Sequence, residues 1–182
     1  MTSFYSIEEL KEIGFNSIGE NVLISKKASI YSPEKISIGN NVRIDDFCIL
    51  SGNITLGSNI HISAYCALYG ANGIIMKDFS GISPRCTIFS ATDDFGGEFL
   101  IGPIHPVKLT NVTGGTVIIN SFVQLGACTT VMPNLEIGEG AVTGTLTLVR
   151  KSLTPWTINI GIPSHVLKMR SKKILEKNIR YN

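Results

Sequence analysis

The chain has 182 residues, 43% of them hydrophobic and 16% charged, and a formal net charge of +2. That size fits one domain, and so weak a charge excludes an electrostatic nucleic-acid binder. No apolar run reaches the ~20 residues that span a bilayer, and the acidic N-terminal stretch lacks a signal peptide's apolar core, so a cytoplasmic location is expected. In chain order, the first element is a short helix over residues 6–13. Ser6 and Glu9 form a capping box, Tyr5 and Leu10 a hydrophobic staple, and Gly14 ends it.

A six-residue beat then takes over. Ile38, Ile44, Leu50, Leu56, Ile62 and Leu68 recur every sixth position, with Val42, Cys48, Ile54, Ile60 and Cys66 four places after successive members. Weaker copies are Ile18, Ile24 and Ile30, then Met76, Ile82 and Ile88. The beat resumes as Ile119, Leu125, Val131 and Ile137 and ends at Val149. A helix needs period 3.6 and a plain strand period 2. Period six fits a triangular coil in which each hexad supplies one flat face and one corner, and stacked coils bury a continuous aliphatic core. The phase slips by two residues between Ile30 and Ile38 and again between Leu68 and Met76, which reads as bulged corners. Cys48 and Cys66 are one coil apart, and the second slip brings Cys86 into line, so the three are expected as one internal column of reduced thiols.

Residues 90–116 break the beat with Asp93, Asp94, Glu98 and His105 in a long excursion, and such loops carry function more often than decoration. From Pro163 onward the chain is basic and is expected to be helical. The division is therefore a single domain, 1–182: a helical cap at 1–16, coils at 17–89 and 117–162, the excursion at 90–116 and a helical tail at 163–182.

The repeat, with Leu125-Gly126-Ala127-Cys128-Thr129-Thr130-Val131-Met132-Pro133 and Ile137-Gly138-Glu139-Gly140-Ala141, resembles the hexapeptide-repeat acyltransferases over residues 17–163. The resemblance implies an all-β, left-handed parallel β-helix, acetyl-CoA as cosubstrate, no metal, and a homotrimer with active sites between subunits. It places the pantetheine arm along Gly126, Ala127, Gly144 and Thr145, with Arg150, Lys151, Pro163, Lys168 and Arg170 around the nucleotide end of CoA. Many sugar O-acetyltransferases of the family use a histidine at the start of the long loop as general base. Here Asp93 or Asp94 stands in that place.

An amine acceptor needs less base assistance than a hydroxyl, and a carboxylate holds the incoming ammonium and helps take its proton. The segments Ser90-Ala91-Thr92-Asp93-Asp94-Phe95-Gly96-Gly97-Glu98 and Thr110-Asn111-Val112-Thr113-Gly114-Gly115 look like those of short acetyltransferases of surface-polysaccharide clusters, some of which act on dTDP-4-amino-4,6-dideoxyglucose. Asp94, Asp93 and His61 are thus the catalytic candidates. His61 lies between two inward positions and should point outward. Glu98, His105, Tyr69 and Phe95 are candidates for holding a nucleotide sugar. The competing readings are an O-acetyltransferase with His61 or His105 as base, and a non-catalytic scaffold. A zinc enzyme like the γ-type carbonic anhydrases would need three converging histidines, and His61, His105 and His165 lack that spacing.

Overall fold

The computed structural model of the chain describes residues 3–178. Its short parallel strands stack into a three-sided β-solenoid. On the first face Ser17–Ile18 pairs with Ile36–Ile38, and the stack continues through the later part of Ile49–Leu56 and of Ala67–Met76 to Val117–Ile119 and Glu136–Ile137. On the second, Ile24, Ile44, Ile62, Ile82 and Leu125 lie over one another. On the third, Ile30, Leu50, Leu68, Ile88, Val131 and Val149 do the same. These are the beat residues, and all those of the second face are essentially without solvent contact. Their burial is what holds the coil shut, at about 1.5–3 kcal/mol for each aliphatic side chain.

The expected cysteine column is present. The Cys48, Cys66 and Cys86 thiols are buried and free, and they donate to the carbonyls of Ser63, Ser83 and Gly126 on the next coil, each at 3.1 Å. The Cys48 and Cys86 thiols on either side of Cys66, and then burial, push its proton affinity up. Cys66 therefore stays a protonated donor.

The corner between the third and first faces is the variable one. The two slips lie there, one as the 3-10 turn Pro33–Lys35 and the other as an irregularity between Gly70 and Ile74. The excursion leaves from this same corner, between the strands Thr87–Phe89 and Val117–Ile119.

Both ends of the prism are covered. The helix Ile7–Ile13 carries the expected capping box and ends at Gly14, and it lays Leu10 on the first coil. At the other end the helical tail is not what forms. His165–Met169 is a strand that runs antiparallel to Thr157–Ile160, and helix is confined to Ile174–Asn178. The last coil leaves a row of unpaired backbone groups, and the returning strand satisfies them. The expected tail extends over residues 179–182, which lie outside the described residues.

Candidate active site

The excursion is rooted by Ser90, which is fully buried. Its hydroxyl donates to the Tyr69 carbonyl at 2.9 Å and accepts from the Asn72 N–H at 2.8 Å, while its own carbonyl accepts from the Gly115 N–H. A Cβ at Gly114 would lie 2.3 Å from that carbonyl oxygen, so the close approach requires glycine. Above these feet Ala91–Asp93 and Val112–Gly114 pair antiparallel.

The pairing separates the two aspartates. The Asp94 carboxylate accepts from the Gly96 N–H at 2.7 Å and from Asn111 Nδ2 at 3.1 Å, and these bonds, the first above all, hold it below its ordinary pKa. Asp94 is thereby committed to the shape of the loop. Among the described residues the Asp93 carboxylate has only a long contact from the Gly102 N–H, at 3.4 Å, and Asp93 lines an open depression of about 690 Å³ with Thr92, His105, Thr110 and Asn111. Asp93 and His105 are thus brought together. Glu98 and Phe95 stand apart from that depression on the outer part of the loop, both exposed. Tyr69 stacks on Phe89, with ring centroids 5.4 Å apart, on the outside of the third face.

His61 points outward, as expected. Its Nε2 lies 2.8 Å from Asp45 Oδ2, and Arg43 Nε donates to Asp45 Oδ1 at 2.7 Å. Partial burial alone would raise the Asp45 carboxyl. The hydrogen bonds from Arg43 and His61 outweigh it and hold the group below the carboxylate range. One coil on from His61's neighbour Gly81 the outward position is Gln124, whose Nε2 reaches the Ser83 hydroxyl at 3.2 Å. Ser83 is a turn residue with nothing unusual in its immediate neighbours, and sequence reasoning did not single it out.

The corner between the second and third faces carries the residues expected along the pantetheine. Gly126 and Gly144 spend their N–H groups on the next coil, at Thr143 and Asn159. Those of Ala127 and Thr145 have no partner among the described residues, and the side chains beside them are small enough for a thin chain to reach the backbone. At the top of the prism Arg150 and Lys151, which follow the third-face strand Leu148–Val149, line a depression of about 290 Å³ together with Pro163 and Ser164. An extended pantetheine arm with its nucleotide end at the basic depression fits these groups.

Arg170 stands apart from these groups in the chain. The strand His165–Met169 carries it to the opposite edge of the second face, where its Nη1 donates to the Phe122 and Gly140 carbonyls at 2.7 and 2.9 Å. Lys168 lies on the same strand, opposite Ile158. Among the described residues no cluster of three or more metal-ligating side chains occurs, and no helix is long and apolar enough to cross a membrane.

Galactoside acetyltransferase in complex with coenzyme A shares the fold, with a TM-score of 0.60 at 19% identity over 91% of this chain and 70% of that one. No protein-family model matches the chain. It is 43% identical, over 92% of its length and 89% of the relative's, to a dTDP-4-amino-4,6-dideoxy-D-glucose acyltransferase from Escherichia coli, and it belongs to that family of acyltransferases. Crystal structures of AntD, an N-acyltransferase from Bacillus cereus, in complex with dTDP and coenzyme A superpose with a TM-score of 0.97. Identity there is 53% over 100% of this chain and 98% of that one.

Proposed function

We propose that the chain moves the acetyl group of acetyl-CoA onto the 4-amino group of dTDP-4-amino-4,6-dideoxy-D-glucose, in the cytoplasm, in the making of a surface polysaccharide. The observation that carries this reading is the near full-length likeness to AntD, which has been crystallised with dTDP-4-amino-4,6-dideoxyglucose and coenzyme A. AntD has also been crystallised with dTDP and 3-hydroxybutyryl-CoA, so the length of the acyl group is something the assay must read.

The AntD variants crystallised with these ligands replace a serine and an aspartate ten positions apart. Ser83 and Asp93 have that spacing here, whereas the residue ten before Asp94 is Pro84. With Asp94 tied to Gly96 and Asn111, this favours Asp93 as the group that meets the substrate. Ser83 and Asp93 stand at opposite edges of the third face, with Thr87–Phe89 between them. A second copy's excursion bringing its Asp93 to Ser83 would complete one site, which supports a homotrimer with sites between subunits.

In the reaction the neutral amine attacks the thioester carbonyl, the tetrahedral intermediate collapses, and the C–S bond breaks. An amide and a thiol result, so the proton lost by nitrogen ends on sulfur. Asp93 holds and orients the incoming amine, and the corner's free N–H groups grip the donor.

Thiol release from acetyl-CoA, compared between the dTDP-amino sugar and its 4-hydroxyl analogue, tests the assignment. Turnover on the amine alone is expected. Asp93→Asn should lower kcat/KM by about 10- to 100-fold, the worth of one charge-assisted hydrogen bond, and Asp94→Asn by less. Preference for the hydroxyl sugar would instead favour O-transfer, the second reading. His61 held by Asp45 is the arrangement that suits it.

A further inference from the structure

Along the outside of the second face one row of outward positions runs Arg43, His61, Gly81, Gln124 and Val142, one from each successive coil. Two residues after the first three members the chain turns, at Asp45, Ser63 and Ser83. In two places a side chain of the row reaches the turn residue of the coil before it. His61 Nε2 lies 2.8 Å from Asp45 Oδ2, and Gln124 Nε2 donates to Ser83 Oγ at 3.2 Å. Between them the row has Gly81, which carries no side chain, and the Ser63 hydroxyl beneath makes no hydrogen bond among the described residues.

The two hooks differ in what they leave over. Both oxygens of Asp45 are engaged, one by His61 and one by Arg43. Ser83 is half-buried, and its hydroxyl has Gln124 alone. A hydroxyl has one proton and two lone pairs. The Gln124 amide fills a lone pair, so the proton stays uncommitted among the described residues. The orientation of the amide is fixed from two sides. Its Nε2 lies 3.3 Å from the Leu125 carbonyl, which can only accept. Its Oε1 lies over Gly81, where a Cβ would come within 2.7 Å of it. The missing side chain at Gly81 is thus the bed on which the Gln124 amide lies.

We propose that Gln124 is a positioning residue for acyl transfer, which turns the Ser83 hydroxyl into a donor toward the thioester carbonyl. The role rests on the acyl-transfer reading for its substrate. As the amine nitrogen attacks, the carbonyl π pair moves onto oxygen, and the Ser83 O–H donates to that oxyanion. The pair returns as the C–S bond breaks, and neither Ser83 nor Gln124 gives up a proton. An outward partner that could only accept would take the Ser83 proton for itself and turn a lone pair toward the oxyanion.

The test is a double-mutant cycle. Gln124→Met keeps the length of the side chain without the amide, and Gln124→Glu keeps the shape with an acceptor in place of the donor. Each is made alone and with Ser83→Ala. Thiol release gives kcat and both KM values, and thermal melting reports stability. Gln124→Met should lower kcat by about 3- to 10-fold, the worth of one neutral hydrogen bond, with both KM values within about twofold. Gln124→Glu should fall further. On the Ser83→Ala background Gln124→Met should change kcat by less than about twofold. Gly81→Ala, which displaces the amide from beneath, should match Gln124→Met and add nothing to it. A wild-type kcat in Gln124→Met would overturn the role. So would a loss that persists in full without the Ser83 hydroxyl, or a lowered melting temperature with kcat per folded molecule unchanged, which would make Gln124 a structural hook like His61. A wild type inactive on the amino sugar would sink the acyl-transfer reading together with this role, whereas an active wild type with an additive cycle would sink the role alone.

Discussion

Two corners of the prism use the same backbone turn for opposite ends. At the corner between the first and second faces, left-handed Asn21, Asn41 and Asn59 form a ladder of side-chain amides, and Phe79 and Phe122 continue it as a stack at 5.3 Å. The next coil has Gly140, and Trp156 from the coil beyond fills the space. Arg170 then seals the column, 6.0 Å over the indole. At the corner between the second and third faces the equivalent ladder, Phe47 and Tyr65, is left uncovered. A corner whose rings are closed over by the chain itself is a structural seam. The other leaves its rings open to solvent, with Arg85 over the Tyr65 ring and no carboxylate partner for it among the described residues.

The largest contrast should come from Trp156→Ala. The indole is 5% exposed, and removing it should cost about 3–5 kcal/mol in chemical denaturation, while Tyr65→Asn on the open corner should cost well under that. Equal losses would erase the distinction between the closed corner and the open one. Gly140→Ala sharpens the same point. A Cβ there would lie 2.5 Å from the Trp156 ring at a φ of +65°, so the indole must shift, at about 1–3 kcal/mol, read as a lowered melting temperature with intact acyl transfer per folded molecule.

The smallest effect concerns Asp45, at the foot of the open corner. Its folded pKa is depressed by its partners, so its stabilisation is present above the ordinary carboxylate pKa, about 3.9, and is lost as pH falls through the folded value. Asp45→Asn should therefore melt below wild type at neutral pH, and the gap should close in acid. A gap independent of pH would mean that the carboxylate's charge contributes nothing.

The coil was legible because every aliphatic on the beat faces inward, and a period of six has no other compact solution. The cap was legible because Ser6, Glu9 and Gly14 act within one turn of helix. The strand His165–Met169 was not, because its partner is an edge that exists only once the last coil has closed. Nothing local distinguishes Asp93 from Asp94. What does is Asn111, 17 residues away and brought back by the hairpin. The open aromatic ladder had left a trace: Phe47, Tyr65 and Arg85 each immediately precede one of the inward cysteines, Cys48, Cys66 and Cys86.

All departures from the regular coil before its last turns leave at the corner between the third and first faces, and this has a consequence for how such a protein can diversify. An extra residue anywhere else would throw the strand beyond it out of step with the layers above and below. At that one edge, length is free. A loop of different chemistry can be exchanged there while the wall that grips the thioester is inherited unchanged, so the choice of acceptor and the handling of the donor can evolve separately.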